Sequence, residues 1–228
     1  MDNRTVLKEM FVMQQRLNDE TNGVGWEDGR ARNGKLISWK RCIYMECAEL
    51  IDSFSWKHWK DINALPSYEN ISVELADIWH FIMSLILEKE YKNKSIDGIV
   101  EDVSSVSGFS EFCMSPYKMS EYNMYEIIND IEIIIHSTSG FGLRVHDLLT
   151  NYFRLCLKCE LNLASLYEIY VGKNVLNKFR QEHGYQEGTY IKKWNGTEDN
   201  VVLSEILNSG VLEIEEIYKE LEKRYPKN

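Results

Sequence analysis

The stretch ISVELADIWHFIMSLILE, residues 71–88, repeats apolar residues at the i, i+3, i+4 spacing of an amphipathic helix. Two acids sit inside its apolar stripe. At about 100° per residue, Phe81 projects between Glu74 and Asp77, and Ile71, Ile78 and Leu85 fall within about 60° of Glu74. Uncompensated carboxylates in such a stripe would cost several kcal/mol each. The helix therefore predicts a compensating charge.

The preceding periodic stretch, LISWKRCIYMECAELIDSFS (36–55), carries a second acid pair at i, i+3. Glu46 and Glu49 lie about 60° apart, and Ile43, Leu50 and Phe54 flank Glu46, so the pair borders an apolar face. A structural ion cluster would need Lys40 and Arg41 as partners. They stand about 60° and 140° from Glu46, so at best one looks at the same space. Four carboxylates meeting between two helices repel one another, and a hard divalent cation with oxygen ligands removes that repulsion. Zinc would want Cys and His. A di-iron bundle would want Glu-x-x-His twice, whereas only Asp77-x-x-His80 is present.

Helical periodicity recurs along most of the chain, at about 3–20, 35–55, 67–91, 94–113, 122–140, 145–158 and 161–183. A loop-rich stretch at 184–198 precedes a terminal helical region at about 199–224. Strand-like alternation is scarce, and no repeat or linker forces a split. The expectation is one all-α domain over residues 1–228. No apolar run approaches the ~20 residues of a membrane span, and the N-terminus lacks a signal-peptide pattern. Five cysteines without framework spacing suggest free thiols in a reducing compartment, hence a cytoplasmic protein. Cys156 and Cys159 form a CxxC that reads best as two core-facing helical residues. The net charge of −10 disfavours nucleic-acid and membrane partners. A polyanionic small molecule would need metal ions or a local basic cluster.

Such a cluster exists. Lys173, Asn177 and Arg180 share about 60° of helical arc, just before a loop with Tyr185, Tyr190, Lys192, Lys193 and Trp194. Arg presents a fork to phosphate oxygens and Lys a mobile charge. A solvated basic face would give the same pattern, but the Gly, aromatic and amide content of the loop favours a binding loop. Gly172-Lys173-Asn174 lacks Walker A spacing. On the first helix, Leu7, Phe11, Gln14 and Asn18 share a face. Two amides at i, i+4 could read a base edge or be satisfied by backbone. Trp59 could stack on a base or sit in the core.

In order, QQRLND (14–19), ECAE (46–49), SWKHWK (55–60), ELADIWHF (74–81) and GKNVLNKFRQEHGY…GTYIKKWNGTEDN (172–200) resemble the dimeric all-α dUTPases, part of the all-α NTP pyrophosphatase group. The resemblance implies an all-α helical bundle, a homodimer, and hydrolysis of dUTP to dUMP and pyrophosphate, with dUDP also accepted. It implies two or more Mg²⁺ ions on Glu46, Glu49, Glu74 and Asp77. One of Glu46 and Glu49 would orient the attacking water or take its proton, Glu49 being the preferred base. It implies a uracil pocket from Gln14, Asn18, Trp59 and His80, with Asn195 closing over sugar or base. Lys57, Lys60, Lys173, Arg180 and Lys192 would meet phosphates, and Asn177 and Tyr185 would line the site.

Overall fold

The computed structural model describes residues 2–61 and 63–226. Among them, ten α-helices and one two-stranded hairpin are formed. Two compact units emerge, Met1–Tyr167 and Glu168–Asn228.

The first unit contains α1 (Asn3–Asn22), α2 (Trp39–Asp52), α3 (Tyr68–Glu90), α4 (Ile96–Ser104), α5 (Phe109–Phe112), α6 (Met124–Ser139) and α7 (Val145–Lys158). The predicted all-α class holds. Helix α2 is shorter than the 35–55 expected, because Ser38 caps it by accepting from the Arg41 amide and the preceding chain pairs Arg30 with Leu36 in an isolated bridge. The single helix expected at 94–113 is two helices. Gly108, at φ 90°, adopts a left-handed conformation that α-helical hydrogen bonding cannot pass through. At α6, the capping box of Asn123 and Glu126 fixes the start.

Helix α3 is the spine of this unit, with α1 and α2 packed on it and α6 on α2. Its apolar residues bury almost all round. Trp79 stacks on Tyr152 of α7 at 5.3 Å and meets Phe11 of α1 edge-on. The Tyr152 hydroxyl donates to the Leu75 carbonyl at 2.8 Å, locking α7 to α3. Contrary to the sequence expectation, α3 is long and apolar enough to cross a membrane by length and composition. However, 78% of that window is buried inside the protein, as in the core helix of a soluble fold. All five cysteines are free thiols, and Cys47, Cys156 and Cys159 are buried. Burial pushes the Cys159 thiol up to about 12.

Helix α8 (Leu163–Glu182) carries the chain into the second unit, which adds β1 (Lys193–Trp194), β2 (Thr197–Glu198), α9 (Asp199–Asn208) and α10 (Ile214–Arg224). The helical region expected at 199–224 is thus interrupted after Asn208. Phe179 anchors an aromatic core with His183, Trp194, Tyr218 and Tyr225. Gly172 sits mid-helix for packing, since a Cβ there would lie 2.9 Å from Leu207 of α9.

Past the end of α8, Gly184 has φ +85° and an added Cβ would meet Thr189 Oγ1 at 2.0 Å, whereas Gly188 has φ +74° and open space. Gly184→Ala is expected to lose about 1–2 kcal/mol from the left-handed backbone alone, with further loss from displacing Thr189. Urea unfolding should show Gly184→Ala less stable than Gly188→Ala. Equal stabilities would mean that Thr189 moves aside at no cost.

Candidate active site

Helices α2 and α3 bring three of the four expected acids together. One carboxylate oxygen from each of Glu46, Glu74 and Asp77 lies within 4.8 Å of the others. Glu74 is buried and accepts from Asn70 Nδ2 at 3.1 Å, while Asn70 also donates to Ser53 at the end of α2. Burial, then the charges of Asp77, Glu74 and Glu49, push Glu46 up to about 8. Glu49 is close enough to contribute to that shift but is exposed and lies outside the three-oxygen group. The basic residues beside Glu46 in sequence do not join the cluster. Lys40 donates to the Gly140 carbonyl at 2.8 Å, and Arg41 is exposed. Mutually repelling oxygen donors without Cys or His are the donor chemistry of a hard divalent cation.

One helical turn beyond Asp77, a buried polar network joins α3 to α1. Gln14, Asn18, His80 and Ser84 are all buried. Gln14 Nε2 donates to Ser84 Oγ at 3.0 Å and to Asn18 Oδ1 at 3.1 Å, and Asn18 Nδ2 donates to Ser84 Oγ at 3.0 Å. The Nδ1 atom of His80 meets Gln14 Oε1 at 2.7 Å. Both amides thus have side-chain partners. Ser84 escaped the sequence reading, although it stands at i+4 from His80 and i+7 from Asp77, on the face that carries the acids.

The SWKHWK segment is a loop after α2. Trp59 is 63% exposed, which excludes the core alternative, and its ring meets Trp56 and His58 edge-on. Lys57 pairs with Asp52, and Lys60 is exposed.

In the second unit the cationic stripe is real but tied. Arg180 holds Asp199 with Nε–Oδ2 and Nη2–Oδ1 contacts of 2.9 Å each, and donates to Asn177 at 3.1 Å. Lys173, 1% exposed, donates to Asn200 Oδ1 at 2.9 Å, and Arg180 shares that oxygen at 3.2 Å. Tyr190 donates to Asp199 at 2.8 Å, and Tyr185 lies under the guanidinium at 5.8 Å. Asp199 and Asn200 end the GTYIKKWNGTEDN stretch, where no local pattern marks them as partners of the stripe. Lys192 is exposed. Asn195, at φ 51°, occupies with Gly196 the two-residue turn between Trp194 and Thr197. Asn-Gly is the favoured pair for that left-handed hairpin turn, so the turn itself favours this dipeptide.

A sequence profile of a family described as dUTPase matches residues 6–185. The chain belongs to the dUTPase family. It is a dUTP diphosphatase, a hydrolase whose substrate is a nucleotide. The dUTPase match spans both acid pairs, the buried amide network and the Lys173–Arg180 stripe, and ends before Lys192, Asn195 and Asp199. Comparison with curated proteins gives no match.

Proposed function

We propose that this dUTPase hydrolyses dUTP, and also dUDP, in a Mg²⁺-dependent reaction giving dUMP with pyrophosphate or phosphate. The activity keeps uracil out of DNA and supplies dUMP. The observation that carries the reading is the convergence of Glu46, Glu74 and Asp77 within a chain matched by the dUTPase family. Those three, with Glu49 beside them, are assigned to more than one Mg²⁺ ion. When bound, the metal neutralises phosphate charge and makes water a better nucleophile.

The chain's own groups supply the rest. Glu49, exposed and next to the cluster, accepts the proton of the attacking water. Gln14, Asn18 and His80 read the uracil ring, where mispaired buried polar groups reject the wrong base strongly. Trp59 offers its open face for stacking, and Asn195 closes over the sugar or base. By family motif, Lys57, Lys60, Lys173, Arg180 and Lys192 meet phosphate oxygens, with Asn177 and Tyr185 alongside. The working form is a homodimer in the cytoplasm, without nucleic-acid or membrane partners, which the net charge of −10 supports.

Pyrophosphate release from dUTP, dCTP, dTTP, dATP and dGTP, each with Mg²⁺ and with chelator, tests this directly. dUTP is expected to lead the panel by orders of magnitude and to need the metal. Comparable rates with dCTP would replace the uracil reading by that of a broader nucleotide pyrophosphatase.

A further inference from the structure

We propose that Ser84 is a positioning residue that sets the donor–acceptor polarity of the base-reading groups, and through it the preference for uracil over cytosine. The inference rests on the assignment of Gln14, Asn18 and His80 to the base.

The case begins with a single proton. The Ser84 hydroxyl lies 2.8 Å from the His80 carbonyl and 3.4 Å from Asn18 Oδ1, and is fully buried. Its one hydrogen goes to the nearer acceptor, the back-bond to residue i−4 that serine makes in helices. Ser84 Oγ can then only accept. Two side-chain amides each place an atom 3.0 Å from that oxygen. Both atoms must be NH₂ groups, because a carbonyl oxygen there would face lone pairs at contact distance. The orientation of Gln14 and of Asn18 is thereby fixed. Gln14 Oε1 must point the other way, to the ring nitrogen 2.7 Å from it. His80 therefore carries its proton on Nδ1, and in the neutral ring Nε2 is the acceptor nitrogen.

One buried hydroxyl thus settles two amide flips and one imidazole tautomer. Uracil and cytosine differ in that same sense. Uracil offers a carbonyl acceptor at C4 and an N3–H donor, while cytosine offers an amino donor and a bare N3 acceptor. A network that could turn over would accommodate either edge. One held in a single sense rejects the other, at the cost of leaving buried polar groups unpaired. Discrimination against thymine is different in kind, because it depends on room for a methyl group and not on polarity.

The test uses the full-length protein and two readouts. First, ¹⁵N-edited NMR of the histidine side chains should show His80 as the Nδ1–H tautomer in wild type. In Ser84→Ala that tautomer should give way to a mixture. A wild-type His80 protonated on Nε2 alone overturns the inference whatever the enzyme's substrate. Second, kcat/KM for dUTP, dCTP and dTTP with Mg²⁺ is compared. Ser84→Ala should lower the dUTP:dCTP ratio at least ~10-fold while leaving the dUTP:dTTP ratio within about twofold. A parallel fall of both ratios, or an unchanged dCTP ratio, overturns the inference in favour of a packing role. Should Ser84→Ala fail to fold, Ser84→Cys keeps a heteroatom on Cβ but makes it a weak acceptor, and the same two ratios decide. A wild-type enzyme with the expected tautomer but no preference for dUTP would instead sink the uracil assignment.

Discussion

Asp77→Asn is expected to reduce Mg²⁺-dependent dUTP hydrolysis by more than about 100-fold, beyond the 10–100-fold cost of losing a group behind a metal ligand. The substitution keeps shape and removes the charge of one of the three carboxyl groups that meet between α2 and α3. It has a second consequence that does not involve turnover. After burial, the charge of Asp77 is the largest influence holding Glu46 up near 8. In the metal-free variant Glu46 should therefore titrate lower than in wild type, by carboxyl ¹³C NMR. A variant that turns over dUTP like wild type would falsify the place of Asp77 in the metal set. Unchanged Glu46 titration would instead show that burial and the other two carboxylates set its proton affinity without Asp77.

Asp199→Ala is expected to destabilise the protein by about 3 kcal/mol, the lower end of the range for breaking a buried ion pair. Asp199 is fully buried and receives both arms of the Arg180 fork and the Tyr190 hydroxyl. Asn177 and Asn200 still accept from Arg180 when the carboxylate is gone, which keeps the cost at that end. Urea unfolding should show the loss, with Asp199→Asn intermediate. The pair also has a pH signature. Burial alone would raise Asp199, but the hydrogen bonds and charge of Arg180, with the Tyr190 hydroxyl, outweigh it and hold the carboxyl below its ordinary 3.8. A depressed folded pKa gives stability that is fully present above the unfolded value and is lost as the pH falls through the folded one. The difference in stability between wild type and Asp199→Ala should accordingly shrink below about pH 3.8. A constant difference across that window would remove the charge from the explanation.

The long helices were legible because each carries its own evidence. Residues 145–158 repeat apolar side chains without interruption, and α7 occupies that range. The two expected helices that are split share one cause. At 94–113 and 199–224 the apolar period continues across a glycine, and periodicity does not register a backbone that turns left-handed at Gly108 or Gly210. In the acid cluster, Glu74 and Asp77 announced themselves by their apolar surroundings. The wheel set the apolar residues beside Glu46 and set Glu49 about 60° away, but it could not show that the Glu49 carboxylate remains in solvent. The second unit shows the opposite limit. Lys173 and Arg180 were visible as a stripe, but their partners Asn200 and Asp199 lie 27 and 19 residues away. No local pattern joins residues that far apart. Ser84 lies in the same stretch as Glu74 and Asp77, but a small hydroxyl residue among apolar ones carries no periodic signal.

The buried thiols give the molecule an internal clock. Cys47 follows Glu46 on α2 and is fully buried, and burial followed by the Glu46 charge pushes its thiol well above the ordinary range. Such a sulfur is inert to alkylating reagents until its helix separates from its neighbours. The labelling rate of Cys47 therefore reports how often α2 opens, a local event distinct from global unfolding. Any ligand that bridges α2 to α3 should slow that rate, and in a chain free of disulfides no competing exchange blurs the reading.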